Sequence, residues 1–204
     1  MICIIDYGVG NLFSLTSSLK FIGAESVVSS DPEVIKRADK IILPGVGAFE
    51  DARRKLSVGG LDKLVTEEAK RGKKLLGICL GMQMLFEKSY EYGEYDGLSL
   101  LRGSIVPMKD TLPEAVKIPH MGWNSLHVVK EHPLFKYVKE NDFVYFVHSF
   151  YATGCDDSLL ATTEYSREIT AAVAKDNICG AQFHPEKSGE VGLSILRAFN
   201  EWEG

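Results

Sequence analysis

Short apolar runs alternate with amphipathic segments along the first half of the chain. Residues 2–5, 24–29, 40–43 and 75–78 are predicted strands, and each of the last two stops at a glycine- or proline-containing turn. Between them, apolar residues recur at helical spacing. These are Leu12, Leu15, Leu19 and Ile22, then Leu61, Leu64, Val65 and Ala69, and finally Met82, Leu85 and Phe86. The alternation predicts a doubly wound α/β structure, with a largely parallel sheet covered by helices on both faces.

The second half of the chain is richer in strands. The pattern predicts strands at residues 104–107, 124–129, 143–147, 159–163, 170–174 and 178–183, which we expect to add antiparallel strands to the sheet. Apolar residues from Val191 to Phe199 predict a closing helix. The 204 residues are 45% hydrophobic and contain no internal repeat or linker, so we expect a single domain over residues 1–204.

Charge and cysteine usage narrow the class of function. Lysine and arginine number 23 against 28 acidic residues, so the net charge of -5 does not favour binding to nucleic acid or to an acidic membrane. The beginning of the chain does not resemble a signal peptide, and no apolar run could span a bilayer, so we expect a cytoplasmic protein. The four cysteines form no C-x-x-C pair, which favours reduced thiols over disulfides or a zinc site.

The segment G-x-C-x-G at residues 77–81 places Cys79 where a buried strand turns into a helix. This is the cysteine counterpart of the nucleophile elbow, in which the flanking glycines avoid collisions at a strained turn. The adjacent helix N-terminus favours a thiolate, and the backbone N–H of Leu80 would face an oxyanion. Cys79 is therefore a candidate nucleophile, although a small buried thiol is the competing interpretation.

A histidine and an acid follow the predicted strand 178–183. We expect alternation along the strand to place His184 and Glu186 on the same side of the chain. His184 could then transfer protons while Glu186 orients its ring, as the third member of a triad does. For either residue alone, a hydrogen-bonded histidine or a solvated carboxylate would be the more common case.

Two glycine-rich segments have different interpretations. Residues 44–47 (PGVG) follow a strand end, and their glycines would let the Val46 peptide N–H become a second oxyanion donor, or would simply form a Pro-Gly turn. Residues 6–11 (DYGVGN) lack the third glycine of a dinucleotide-binding motif. We therefore expect no nicotinamide or flavin cofactor.

Residues 119–124 (PHMGWN) place a methionine and a tryptophan in what the sequence predicts to be a loop containing glycine and proline. Exposed aromatic residues in a rigid loop are typical anchors of a protein interface, whereas a tryptophan that fills the core is the more frequent case.

Together these motifs resemble those of the class I glutamine amidotransferases, and within them the glutaminase subunits of imidazole glycerol phosphate synthases. The resemblance covers essentially the whole chain. It rests on residues 6–11 (DYGVGN), 44–49 (PGVGAF), 77–83 (GICLGMQ), 119–124 (PHMGWN), 146–149 (FVHS) and 182–188 (QFHPEKS). The elbow and the His-Pro-Glu segment are general to the superfamily, whereas residues 6–11 and 119–124 are more specific to this subunit.

The resemblance implies a flavodoxin-like fold, a triad of Cys79, His184 and Glu186, and no metal or cofactor. It also implies an oxyanion hole, a pocket for L-glutamine and a heterodimer with a cyclase subunit that is a (β/α)8 barrel and receives ammonia for histidine biosynthesis. The residues implied are Val46 and Leu80 for the oxyanion, Gly47, Gln83, Ser149 and Phe150 for glutamine, and Asn11, Met121, Trp123, Tyr145 and Lys187 for the partner.

Three alternatives stay open from the sequence. A glutaminase subunit of another enzyme, such as pyridoxal phosphate synthase, would share the chemistry and deliver ammonia elsewhere. A non-catalytic module of the same fold would only regulate a partner. A thiol protease or a stress-response cysteine hydrolase fits the Gln83 and His-Pro-Glu pattern less well.

Overall fold

A computed structural model describes residues 1–113 and 115–203. The strands are β1 Ile2–Ile5, β2 Ser26–Ser29, β3 Lys40–Leu43, β4 Lys74–Ile78, β5 Lys88–Ser89, β6 Tyr95–Asp96, β7 Ser104–Pro107, β8 His120–Ser125, β9 His127–Val128, β10 Phe143–His148, β11 Phe150–Thr153, β12 Leu159–Glu164, β13 Glu168–Lys175 and β14 Ile178–Ala181. The α-helices are α1 Leu12–Phe21, α2 Pro32–Arg37, α3 Phe49–Ser57, α4 Leu61–Lys70, α5 Leu80–Gln83 and α6 Gly189–Glu201.

An eight-stranded sheet in the order β2-β1-β3-β4-β14-β13-β12-β9 runs through the molecule. The strands from β2 to β14 pair in parallel, and β13, β12 and β9 continue the sheet in antiparallel pairs. The predicted doubly wound α/β sheet with added antiparallel strands is therefore confirmed. Because β4 and β14 are neighbours, the residues that follow them meet at one edge of the sheet.

Each face of the sheet has its own apolar core. One cluster contains Phe49 and Phe86, and the other contains Phe146, Phe183 and Phe199, all of them fully buried. Parallel strands that are covered on both faces have nearly continuous apolar sequences, which is why β1 and β4 could be predicted from the sequence. Within residues 1–113 and 115–203, no helix combines the length and the apolar character needed to cross a membrane.

The helix predicted from Met82 to Phe86 is wrong beyond Gln83, where α5 ends. The carbonyl groups of residues 84–86 accept hydrogen bonds from backbone N–H groups in residues 98–101 instead of continuing the helix. The local spacing of apolar residues does not predict this tertiary pairing. The sequence interpretation also missed α3 and α2, the second of which begins at Pro32 and is capped by Asp31.

The strand predicted at residues 124–129 is two strands in different sheets. His120–Ser125 (β8) pairs with β10 in a two-stranded ribbon, whereas His127–Val128 (β9) joins the edge of the large sheet. Leu126 between them is fully buried, and its N–H donates to the carbonyl of Asp142. The segment 119–124 is consequently mostly strand and not the predicted loop, because its backbone pairs with the aromatic strand β10.

Candidate active site

The elbow is formed where β4 turns into α5. Cys79 has φ 53° and ψ -112°, a conformation that non-glycine residues rarely adopt, and its N–H donates to Ala181 O at 2.7 Å. A Cβ on Gly77 would lie 2.7 Å from Gly81 O, and one on Gly81 would lie 1.9 Å from Leu43 O. Both flanking glycines are therefore required by close packing around the turn.

His184 and Glu186 form a buried pair beside the elbow. His184 Nδ1 lies 2.9 Å from Glu186 Oε1, and the two side chains are 3% and 4% exposed. They approach through a 3-10 turn at Pro185–Lys187, because β14 ends at Ala181. We predicted that alternation along a strand reaching residue 183 would bring the two side chains together. The side chains do meet, but the prediction that strand alternation brings them together is wrong.

The electrostatic environment of His184 favours its charged form. Burial lowers the pKa of His184, but hydrogen bonds and charge interactions with Cys79 and Glu186 outweigh it and raise the pKa to about 9. Because Nδ1 is paired with Glu186, Nε2 is the nitrogen left for Cys79. An imidazolium held in this way is a suitable partner for a thiolate.

Cys79 and His184 open into one cavity of about 350 Å³, a volume suited to a small-molecule substrate. The cavity also receives the residues expected for the oxyanion hole and for glutamine. Glu186 lies behind His184 and does not line the cavity. The lining residues are Val46, Gly47, Cys79, Leu80, Gln83, Glu91, Tyr92, Pro119, Val147, His148, Ser149, Phe150 and His184.

The loop that carries Val46 is packed tightly against the elbow. A Cβ on Gly45 would lie 2.5 Å from the backbone nitrogen of Gly81, and Tyr7 Oη donates to Pro44 O at 2.6 Å. Gly47 adopts φ +91°, which favours glycine. Val46 and Leu80 line the same cavity as Cys79.

Glu91 is a pocket residue that the sequence interpretation missed. It is 8% exposed, lines the cavity and accepts a hydrogen bond from Phe49 N at 3.1 Å. Burial raises the pKa of this carboxyl group, and the hydrogen bond from Phe49 opposes that change. A carboxylate here can bind an ammonium group. No local motif marks Glu91, because the irregular segment around it is placed only by tertiary packing.

Three of the residues expected at a partner interface, Met121, Trp123 and Tyr145, lie in the ribbon of β8 and β10. Met121 and Trp123 are 64% and 55% exposed, and Trp123 packs edge-on against Tyr145 with ring centroids 6.2 Å apart. Lys187 Nζ lies 5.9 Å from the centre of the Tyr145 ring. Asn11 caps α1 by accepting from Ser14 N. The exposed aromatic and aliphatic side chains thus come from alternate positions of a strand and not from a loop.

Comparison with known proteins defines the class of this chain. The model of the family "Glutamine amidotransferase class-I" matches residues 3–201, so the chain belongs to the class I glutamine amidotransferases, as its sequence predicted. Two solved structures share the fold at low sequence identity. They are PurLQS from Thermotoga maritima, with TM-score 0.72 and 21% identity over 97% of this chain and 96% of that one, and a glutamine amidotransferase, with TM-score 0.75 and 17% identity over 98% and 99%.

Relatives of much higher identity point to one member of this class. The chain is 50% identical to the imidazole glycerol phosphate synthase subunit HisH of Caldanaerobacter subterraneus subsp. tengcongensis, over 98% of both chains. It is 51% identical to the HisH subunit of Lactococcus lactis subsp. lactis, again over 98% of both chains.

Proposed function

We propose that this chain is the glutaminase subunit of an imidazole glycerol phosphate synthase and that Cys79, His184 and Glu186 are its catalytic triad. The near-full-length identity to HisH subunits supports the enzyme. The observation that carries the site is geometric: the strained Cys79 and His184 line one cavity, and His184 is paired with the buried carboxylate of Glu186.

The substrate is L-glutamine, with its side-chain carboxamide at Cys79. The rest of the glutamine molecule is surrounded by Gly47, Gln83, Ser149 and Phe150. The carboxylate of Glu91, which also lines the cavity, is available for the α-ammonium group. A cavity of about 350 Å³ accommodates such a small polar substrate.

The reaction begins when the Cys79 thiolate attacks the carboxamide carbon. A C–S bond forms, and the carbonyl electron pair moves to oxygen, where the backbone N–H groups of Val46 and Leu80 donate hydrogen bonds. His184 gives its proton to the nitrogen, the C–N bond breaks, and ammonia leaves. One such oxyanion donor contributes roughly 3 to 4 kcal/mol where it has been measured, so the position of the Val46 peptide has a large influence on the rate.

The second half of the reaction hydrolyses the thioester. Neutral His184 now removes a proton from water, the hydroxide adds to the thioester carbon, and the C–S bond breaks with its electron pair returning to sulfur. Glutamate leaves, and the thiolate and the imidazolium are restored. Throughout, Glu186 accepts the hydrogen bond from His184 Nδ1 and keeps the reactive nitrogen toward Cys79.

The ammonia passes to a cyclase subunit, a (β/α)8 barrel that docks on the surface formed by Asn11, Met121, Trp123, Tyr145 and Lys187. The exposure of Met121 and Trp123 supports this surface, because large apolar side chains that face water are typical interface anchors. Asn11 lines a small cavity together with His184 and Glu186, so the docking surface reaches the back of the triad.

Glutamine hydrolysis in the reconstituted complex with the cyclase tests this proposal. Cys79→Ala should abolish glutamate release while the complex still turns over when ammonium salt replaces glutamine, because only the nitrogen supply is lost. Undiminished glutamate release would refute the triad. Failure of both nitrogen sources to support turnover with the candidate cyclase would refute the assignment to this synthase.

Partner-controlled activation is a further expectation of the same proposal. The glutaminase rate should rise when the cyclase and its nucleotide ligand are added, because docking near the loop that begins at Pro44 can reposition the Val46 peptide. Equal rates with and without the cyclase would contradict this regulation without affecting the triad.

A further inference from the structure

Gln182 carries a buried amide that contacts the candidate nucleophile Cys79. Its side chain is fully buried, and it is absent from the described residues that line the cavity. Its Nε2 lies 3.7 Å from Cys79 Sγ, and its Oε1 lies 3.0 Å from Gln83 Nε2. Gln182 therefore contacts the reacting sulfur without lining the substrate cavity.

The orientation of the Gln182 amide follows from a backbone carbonyl. Phe150 O can only accept a hydrogen bond, so the Gln83 atom 3.1 Å away must be the nitrogen Nε2. The second N–H of that nitrogen needs an acceptor, and Gln182 Oε1 is the atom that supplies it. The remaining end of the Gln182 amide, the donor Nε2, must then face Cys79.

The Phe150 carbonyl is itself held by a buried chain of hydrogen bonds. His148 Nδ1 donates to it at 2.8 Å, so His148 Nε2 must accept from His120 Nδ1 at 3.0 Å. His120 Nε2 in turn accepts from Asn124 Nδ2 at 3.3 Å. Burial lowers the pKa of His120 to about 4 and that of His148 to about 3, which keeps both rings neutral. Each N–H in this series has one acceptor, so the direction of the hydrogen bonds is determined.

We propose that Gln182 is a further catalytic residue, which donates a side-chain N–H hydrogen bond to the Cys79 sulfur. This inference rests on the proposed function, in which Cys79 is the nucleophile. A hydrogen bond to an ionised acceptor is stronger than one to a neutral acceptor, so the contact favours the thiolate over the thiol. It acts again during thioester hydrolysis, when the C–S bond breaks and the electron pair returns to sulfur.

A purely structural role for Gln182 predicts a different outcome. A buried amide that merely fills the core would, when replaced, loosen the pocket and weaken glutamine binding. A donor to sulfur that does not touch the cavity would instead affect the chemical steps, with kcat reduced and KM preserved.

The test uses Gln182→Glu and Gln182→Leu in the complex with the cyclase. The Glu variant still accepts from Gln83 but has no N–H for sulfur, and the Leu variant removes the donor without adding charge. We expect kcat for glutamate release to fall by about 3- to 10-fold in each variant. In the Glu variant, KM for glutamine should stay within about twofold of wild type.

Alkylation by iodoacetamide measures the sulfur without glutamine binding. The rate at pH 7 should fall by a similar factor, about 3- to 10-fold, in both variants. Thr163→Val is the matched control, because it removes a hydrogen bond of 2.7 Å from the buried Thr163 to Ser125 O on another strand. Its kcat and alkylation rate should remain those of the wild type.

Each outcome has a defined meaning. Folded Gln182 variants that match wild type in kcat and alkylation would overturn this inference, as would a rise in KM with kcat unchanged. If the Glu variant does not fold, as judged by urea unfolding, the Leu variant decides by the same criteria. Cys79→Ala in the same assays distinguishes failure of the proposed function from failure of the role of Gln182. Retained glutamate release in Cys79→Ala refutes the proposed function. An inactive Cys79→Ala together with normal Gln182 variants refutes only the role of Gln182.

Discussion

Replacing Glu186 by glutamine removes one negative charge from behind His184 while leaving the shape of the side chain nearly unchanged. In the wild-type protein, the carboxylate accepts from His184 Nδ1 at 2.9 Å in an almost fully buried site. Its second oxygen, Oε2, is buried without a hydrogen-bond partner among residues 1–113 and 115–203. The Glu186 charge is therefore directed mainly at His184.

The size of the effect follows from the pKa of His184. Burial lowers this pKa, but Cys79 and Glu186 together raise it from 6.5 to about 9. The difference corresponds to about 3 kcal/mol of folding free energy. Because the folded pKa lies above the unfolded value, this stabilisation is complete below pH 6.5 and is lost as the pH rises through about 9. Without the Glu186 charge the pKa of His184 falls, so part of the pH-dependent stabilisation disappears.

Urea unfolding of the wild type and Glu186→Gln at several pH values from 6 to 10 measures this change. We expect the wild type to be the more stable protein at pH 6, with an advantage that shrinks by about 1 to 3 kcal/mol as the pH approaches 10. Titrating groups distant from His184 behave alike in the two proteins and cancel in the comparison. Glutaminase kcat in the complex should also fall. A stability difference that does not vary with pH would refute the coupling of the two side chains.

Three further outcomes are expected from the packing and the surface. Gly81→Ala should lower the free energy of unfolding by about 2 kcal/mol or more and abolish activity, because its Cβ would lie 1.9 Å from a carbonyl of β3. The control Gly47→Ala meets no atom within 4 Å and should cost only about 1 kcal/mol by urea unfolding. The wild type should lose stability as the pH falls from 6.5 toward the low pKa values of His120 and His148, about 4 and 3, and a variant with glutamine at both positions should lose less over that range. Trp123→Ala should weaken cyclase binding by about 10- to 100-fold in calorimetry without changing the unfolding midpoint, and unchanged binding would remove it from the interface.

The sequence by itself determined the class of protein and the position of its candidate nucleophile. Fully buried parallel strands and a glycine-flanked elbow are local features: the apolar run of β4 and the glycines beside Cys79 are needed wherever a strand turns this sharply into a helix. The same holds for His184 and Glu186, which are only two residues apart. Such features can be predicted from the sequence because their physical cause lies within a few residues along the chain.

Tertiary structure decided what depends on contacts between distant segments. The helix after Cys79 ends at Gln83 because the carbonyl groups of residues 84–86 accept hydrogen bonds from N–H groups in residues 98–101. The predicted loop at 119–124 becomes a strand because β10 pairs with it. Glu91 reaches the cavity, and Gln182 turns its N–H toward sulfur, only because each meets a partner far away in sequence. Hydrogen-bond direction and cavity membership are properties of assembled neighbours, so no local pattern of polar and apolar residues records them.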